Sequence, residues 1–147
     1  MAKAALHLEK FLPYRLSVVT NRISGALSRH YADRFGIGIP EWRVIANLGR
    51  MPGLTANDVV ERSAMDKVTV SRAVAALEQK GLLERARDTD DKRKSRLTLS
   101  ARGEQVYGEI APLALGFERD LLTALSPDEA AQLDRIIDKL NGRMDSL

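Results

Sequence analysis

The chain has 147 residues, 44% of them hydrophobic and 29% charged, with a formal net charge of +3. These are values of a folded chain of about one domain, not a disordered one, and no apolar run is long enough to span a bilayer. Without a single cysteine, disulfides, thiolate zinc sites and thiol-based redox sensing are excluded together. The N-terminal stretch is interrupted by His7, Glu9 and Lys10, so it lacks the continuous core of a signal peptide and a cytoplasmic location is expected. No repeat or low-complexity segment is present.

A long helix is expected from Pro13 to Phe35. Pro13 suits the first helical position, where its missing N–H costs nothing. Leu16, Val19, Ile23, Leu27 and Tyr31 recur every three or four residues and form one apolar stripe, and Gly36 is the expected stop. A short helix follows, entered through Ile39-Pro40 and ending near Gly49, with Trp42, Ile45 and Leu48 on one face. Trp42, the sole tryptophan, is either a core anchor or the wall of a ligand pocket.

Thr55 and Asp58 read as a capping box opening a third helix, with Ala56, Val59 and Val60 turned to the core and an end near Ser63. Asp66 then caps a fourth. Val70, Ala73, Val74 and Leu77 form its buried stripe, and Gly81 ends it at C′. Lys67, Val68, Thr69, Ser71 and Arg72 lie toward its N-terminus, away from that stripe. Two short strands come next, Glu84 to Arg87 and Ser95 to Leu99. The second alternates Arg96 and Thr98 with Leu97 and Leu99, as a half-buried strand does. The turn between them runs from Asp88 to Lys94.

Two helices in tandem followed by a charged hairpin have the order of a winged helix-turn-helix. Between Lys67 and Arg102 there are ten basic and five acidic residues, a net +5, while the remainder of the chain carries −2. A basic segment on a near-neutral body implies a directed contact with a polyanion. In such a unit the second helix enters the major groove of double-stranded DNA. There Arg72 can reach guanine or phosphate, Thr69 and Ser71 can hydrogen-bond, and Val68 can touch a thymine methyl. Thr69 and Ser71 can equally be ordinary exposed helix residues. An arginine on the hairpin tip can enter the minor groove, and Asp91 is placed to hold Arg93 there, with Lys92 and Lys94 beside it.

Ser100 is expected to cap a helix from Ala101 to about Leu125, with a kink at Pro112. Ser126-Pro127-Asp128-Glu129 is a strong start for the last helix, whose stripe is Leu133, Ile136, Ile137 and Leu140. The first and last helices carry more apolar surface than the central unit can cover, so pairing of two chains is expected. The fold class is therefore mainly α with a small β wing: a winged helix-turn-helix over 37–100, flanked by dimerisation helices over 1–36 and 101–147.

The run Val70-Ser71-Arg72, then Leu77-Glu78, Lys80-Gly81-Leu82 and Arg85, resembles the MarR family of bacterial transcriptional regulators. So does Asp91-Lys92-Arg93 followed by Leu97, Leu99, Ser100 and Gly103, the family's D-x-R wing with its L-T/S-x-x-G continuation. Val68 departs from the polar residue that many members carry. The resemblance implies a homodimer on a pseudo-palindromic operator, acting as a repressor that leaves DNA when a small molecule binds between the dimer helices and the DNA-binding lobe. The segment Gly38 to Val44 is similar to a subgroup tied to aromatic-acid catabolism, which includes sensors of aromatic acyl-CoA thioesters. Candidate effector residues on this reading are Tyr14, Arg15, Arg22, His30, Trp42 and Arg43, the arginines for a carboxylate or phosphate and the rings to flank another ring.

Enzymatic chemistry is not expected. His7 and His30 have no metal-ligand spacing, and no phosphate loop or nucleophile elbow is present, so neither metal nor cofactor is foreseen. The alternative to a DNA-binding regulator is a winged interaction module that does not read sequence.

Overall fold

The computed structural model describes residues 3–147. A 3-10 turn at Leu8–Lys10 leads into α1 (Leu12–Ser28), α2 (Ala32–Phe35), α3 (Ile39–Arg50), α4 (Ala56–Ser63) and α5 (Lys67–Gln79). Strands β1 (Leu83–Arg87) and β2 (Ser95–Leu99) follow, then α6 (Ala101–Leu122) and α7 (Pro127–Asp145). The chain divides into two compact units, one reaching Ala111 and one of Pro112–Leu147, and each is described by itself.

The first unit is built on the buried stripes that the periodicities predict. Val44, Ile45 and Leu48 of α3, Val59 of α4, and Val70, Ala73, Val74 and Leu77 of α5 are buried together with Leu97 and Leu99 of β2. Ala56 and Val60 are partly buried and pack against this core. The helix ends are set by local chemistry. Thr55 Oγ1 accepts the Asp58 N–H at 3.1 Å while Asp58 Oδ2 accepts the Thr55 N–H at 2.9 Å, a reciprocal box. At the end of α5, Gly81 takes a left-handed φ of 74°. Its N–H donates to Glu78 O and the Leu82 N–H to Leu77 O, the pair of bonds that defines a Schellman stop.

The two strands pair antiparallel with Leu83 opposite Leu99 and Arg87 opposite Ser95. The hairpin is fastened to the helical part through β2. Leu97 exchanges backbone bonds with Leu54 and Gly53, its N–H donating to Leu54 O and its carbonyl accepting from Gly53 N, each at 2.8 Å. Arg96 adds a strut, donating to Gly53 O at 3.1 Å and pairing with Asp88 at 3.6 Å. The wing is thereby fixed to the loop that precedes α4.

The expected helix from Pro13 to Phe35 is broken. It ends at Ser28, and three residues separate it from α2. His30 N and Tyr31 N donate to Leu27 O and Ser28 O, a tightened last turn. Ser28 Oγ donates back to Gly25 O at 2.7 Å. Tyr31 leaves helical geometry at φ −131° and its ring is buried. Neither glycine nor proline marks the break, so the apolar period runs through it unaltered. α6 also stops earlier than expected, at Leu122, with Thr123, Ala124 and Leu125 turning back on short bonds.

In the second unit α6 continues through Pro112. Ser126 caps α7 in a reciprocal box with Glu129, at 2.9 and 3.1 Å. Nothing on α7 is buried, and Leu133, Ile136, Ile137 and Leu140 are all exposed. No helix among the described residues is long and apolar enough to cross a membrane.

Candidate nucleic-acid interface

Helix α5 separates its side chains cleanly. With about 100° per residue, Val68, Ser71, Arg72 and Ala75 fall opposite the buried stripe, and all four are exposed. Ala75 was not among the residues picked out from sequence, although the same wheel places it. Lys67 and Thr69 flank this face. Thr69 is already engaged: its Oγ1 donates to Asp66 Oδ2 at 2.8 Å, and its N–H donates to Asp66 Oδ1 at 2.8 Å. These two bonds hold the Asp66 carboxyl below the usual carboxylate range. Thr69 thus serves the cap, which the sequence reading did not foresee.

The wing tip is ordered by its own backbone. The Asp88 N–H donates to Lys94 O, and the Lys94 N–H to Asp91 O, both at 3.0 Å. Asp91 Oδ1 accepts the Arg93 N–H at 3.0 Å and the Arg93 Nε–H at 3.2 Å. Those bonds, with Lys94 nearby, hold the Asp91 carboxyl below its ordinary value. The Arg93 side chain is 91% exposed, so the guanidinium is oriented yet open.

The basic residues divide into two groups. Lys80 donates to Glu41 Oε2 at 2.6 Å and Gly36 O at 2.5 Å, tying the end of α5 to the start of α3. Arg85 pairs with Glu78 at 2.7 Å, and Arg96 is the wing strut. These cations stabilise the scaffold. The side chains of Lys67, Arg72, Arg87, Lys92, Lys94 and Arg102 make no hydrogen bond or ion pair among the described residues. Glu41 has a structural role that the sequence reading missed, since its other oxygen accepts the Gly38 N–H at 3.2 Å at the start of α3.

The six candidate effector residues fall in distinct settings. Tyr14, Arg15 and Arg22 line a groove of about 510 Å³ along α1 together with Leu12, Leu16, Val18, Val19 and, from the preceding 3-10 turn, the carboxylate-bearing Glu9. Trp42 and Arg43 are not part of that lining. Trp42 is half-buried against the core and sits in an aromatic ladder: 5.8 Å from Tyr31, and 6.4 Å from Tyr107 in a stacked arrangement with a 23° interplanar angle. Arg43 donates to Ser24 Oγ at 3.1 Å. Burial raises the Tyr31 phenol above its usual pKa, with the nearby Arg43 opposing the shift. His30 lies in the break after α1. Tyr107 was missed from sequence, because α6 offers no local pattern that marks an aromatic as the partner of α3.

A family model described as the MarR family matches residues 35–94. The transcriptional regulator HosA of Escherichia coli is 27% identical over 101 residues, 69% of this chain and 75% of that protein. The HTH-type transcriptional regulator BilQ of Clostridium symbiosum is 29% identical over 105 residues, 71% of this chain and 73% of that one. Among solved structures, a MarR/EmrR family transcriptional regulator from Acinetobacter sp. ADP1 superposes with a TM-score of 0.88 at 27% identity, covering 97% of this chain and all of the other. The PcaV transcriptional regulator from Streptomyces coelicolor, solved in complex with its natural ligand, gives 0.79 at 25% identity over 95% and 98% of the two chains.

Proposed function

We propose that the chain is a winged-helix transcriptional regulator of the MarR family, as its similarity to that family over residues 35–94 and to solved regulators supports, and that it binds a pseudo-palindromic operator as a homodimeric repressor and is released by a small organic anion. The observation that carries the reading is the pairing of an open, cation-flanked face on α5 with a wing arginine held ready by Asp91. In this reading Lys67, Val68, Ser71 and Arg72 meet the major groove, with Thr69 holding the helix start. Lys92, Arg93 and Lys94 meet the minor groove and backbone, with Asp91 orienting Arg93.

Unpartnered apolar surface supports the dimer. Leu12, Leu16 and Val19 on α1 and Leu133, Ile136, Ile137 and Leu140 on α7 are all exposed in the single chain. An exposed apolar stripe on a helix marks an interaction surface, and each of these two helices carries one. A two-fold dimer would set two copies of α5 about 34 Å apart, one DNA turn, to enter successive major grooves.

The α1 groove supports an aromatic anion as effector. It has Arg15 and Arg22 for a carboxylate or the phosphates of an acyl-CoA, and Tyr14 beside apolar side chains for a ring. That PcaV was solved with a natural ligand agrees with a family member responding to one. The test is operator binding by fluorescence anisotropy across a salt series, repeated with aromatic acids and their CoA thioesters. A steep loss of affinity with salt and release by one compound class are expected. Binding independent of duplex sequence would refute the reading.

A further inference from the structure

Resting on the proposed DNA reading, we infer that Val68 is a specificity-determining residue that reads the C5-methyl group of a thymine in each half-site, the same half-site that Arg72 contacts. Isolated exposed apolar side chains are ordinary on protein surfaces. What sets Val68 apart is its company. It is 58% exposed on the second residue of α5, on the face it shares with Ser71 and Arg72, directly opposite Val70, Ala73, Val74 and Leu77.

The neighbouring polar groups narrow what that corner can recognise. The Thr69 hydroxyl donates its proton to Asp66, and Asp66 uses its other oxygen on the Thr69 N–H. The first turn of α5 therefore offers outward two methyl groups and the Lys67 ammonium, with Ser71 and Arg72 one turn further on. In the major groove the thymine methyl is the one apolar group that the four bases display. Val68 is β-branched, so its side chain is fixed in one rotamer on a helix and orders at little entropic cost on contact.

The spacing sets the position. Val68 and Arg72 are one turn apart, about 5–6 Å between their Cβ atoms. Base pairs rise by about 3.4 Å each, so that separation is about two steps before the longer Arg72 side chain adds its own reach, and both meet bases of one half-site.

The experiment selects bound duplexes from a random pool with the wild-type protein, then replaces each thymine of the enriched sequence by deoxyuridine, which lacks only the methyl. One thymine per half-site should weaken binding about fourfold when replaced, the loss expected for one buried methyl, and about sixteenfold when both half-sites are changed. Val68→Ala should bind the thymine and uracil duplexes equally, with a melting curve like the wild type's because the site is exposed. Enrichment with no uracil-sensitive thymine, or a Val68→Ala protein that discriminates as the wild type does, overturns this inference and leaves the regulator reading standing. A pool in which nothing is enriched overturns both.

Discussion

Asp91 holds Arg93 twice through a single oxygen, once by the backbone N–H at 3.0 Å and once by Nε–H at 3.2 Å. One carboxylate thereby fixes both the turn and the direction of the side chain, and leaves the outer guanidinium nitrogens for a partner. Arg93→Ala should weaken binding to every duplex tested and lower the salt slope by about one unit if the lost contact is a phosphate. Asp91→Ala should give a smaller loss of the same kind, since it removes orientation and not the charge that touches DNA. Anisotropy titrations at several salt concentrations measure both, and an Arg93→Ala protein with wild-type operator affinity would refute the wing's role.

The glycine of the L-S-x-x-G stretch has a steric basis. A Cβ at Gly103 would run into the Leu82 carbonyl, and that same carbonyl accepts the Ser100 N–H at 3.0 Å. Backbone cannot step aside here without disturbing the cap of α6. At Gly49 a Cβ would lie 2.5 Å from the Tyr107 ring, and a ring can move. Gly103→Ala should destabilise the fold by about 1–3 kcal/mol, toward the upper end, and Gly49→Ala by less. Urea midpoints rank the two, and the reverse order would contradict this account.

Much of the fold was legible because its signals are local. The Thr55–Asp58 and Ser126–Glu129 boxes, the Asp66 cap and the Gly81 stop each depend on residues within five positions, and each forms as read. The break after Ser28 was not legible, because Tyr31 continues the apolar period while its burial depends on Trp42, which lies eleven positions on. Thr69 reads as a possible base contact only until its hydroxyl is seen on Asp66. The wing strut from Arg96 to Gly53 joins residues 43 positions apart, and nothing in either neighbourhood announces it. The Asp91–Arg93 pair, two positions apart, was visible from the outset.

Acid should loosen the starts of α4 and α5. Asp66 and Asp58 both have depressed pKa values, the first chiefly through the Thr69 N–H and the second through that of Thr55. A depressed carboxylate contributes stability that is fully present above its ordinary value of 3.8 and is lost as pH falls through the lower folded value. Wild-type stability should therefore fall as pH drops from about 3.8 toward the lower folded values. Asp58→Asn and Asp66→Asn should each be less stable at neutral pH and show a shallower fall, which urea unfolding at neutral and acid pH would detect. A wild type with flat stability through this range would contradict the assignment.

Pairing through α7 can be separated from folding of the winged unit. Leu133 and Ile137 are exposed in the single chain, so replacing both by aspartate should spare the core formed by α3, α4 and α5. Sedimentation should show a dimer for the wild type at micromolar concentration and a monomer for the double variant, with operator binding lost because one copy of α5 reaches one half-site only. A double variant that remains dimeric would place the seam elsewhere.

The effector reading makes the most demanding prediction. Trp42 is the single tryptophan, stacked with Tyr107 and next to Tyr31, so its emission reports any rearrangement around α3. An aromatic acid or its CoA thioester that releases operator DNA should bind the DNA-free protein and shift that emission if the change reaches α3. Arg15→Ala and Arg22→Ala, at the exposed groove on α1, should weaken the compound by about ten- to a hundredfold each if they hold its anion, since a charge-assisted contact is worth about 1.5–3 kcal/mol, and should leave operator affinity without compound unchanged. Linkage adds a quantitative condition: a compound that weakens DNA by a given factor must itself be weakened by DNA by the same factor. Titrating compound against protein with and without operator tests that equality. Peroxide is the control, because the chain has no cysteine to oxidise. Release by peroxide, with no aromatic anion having any effect, would remove the effector from this account.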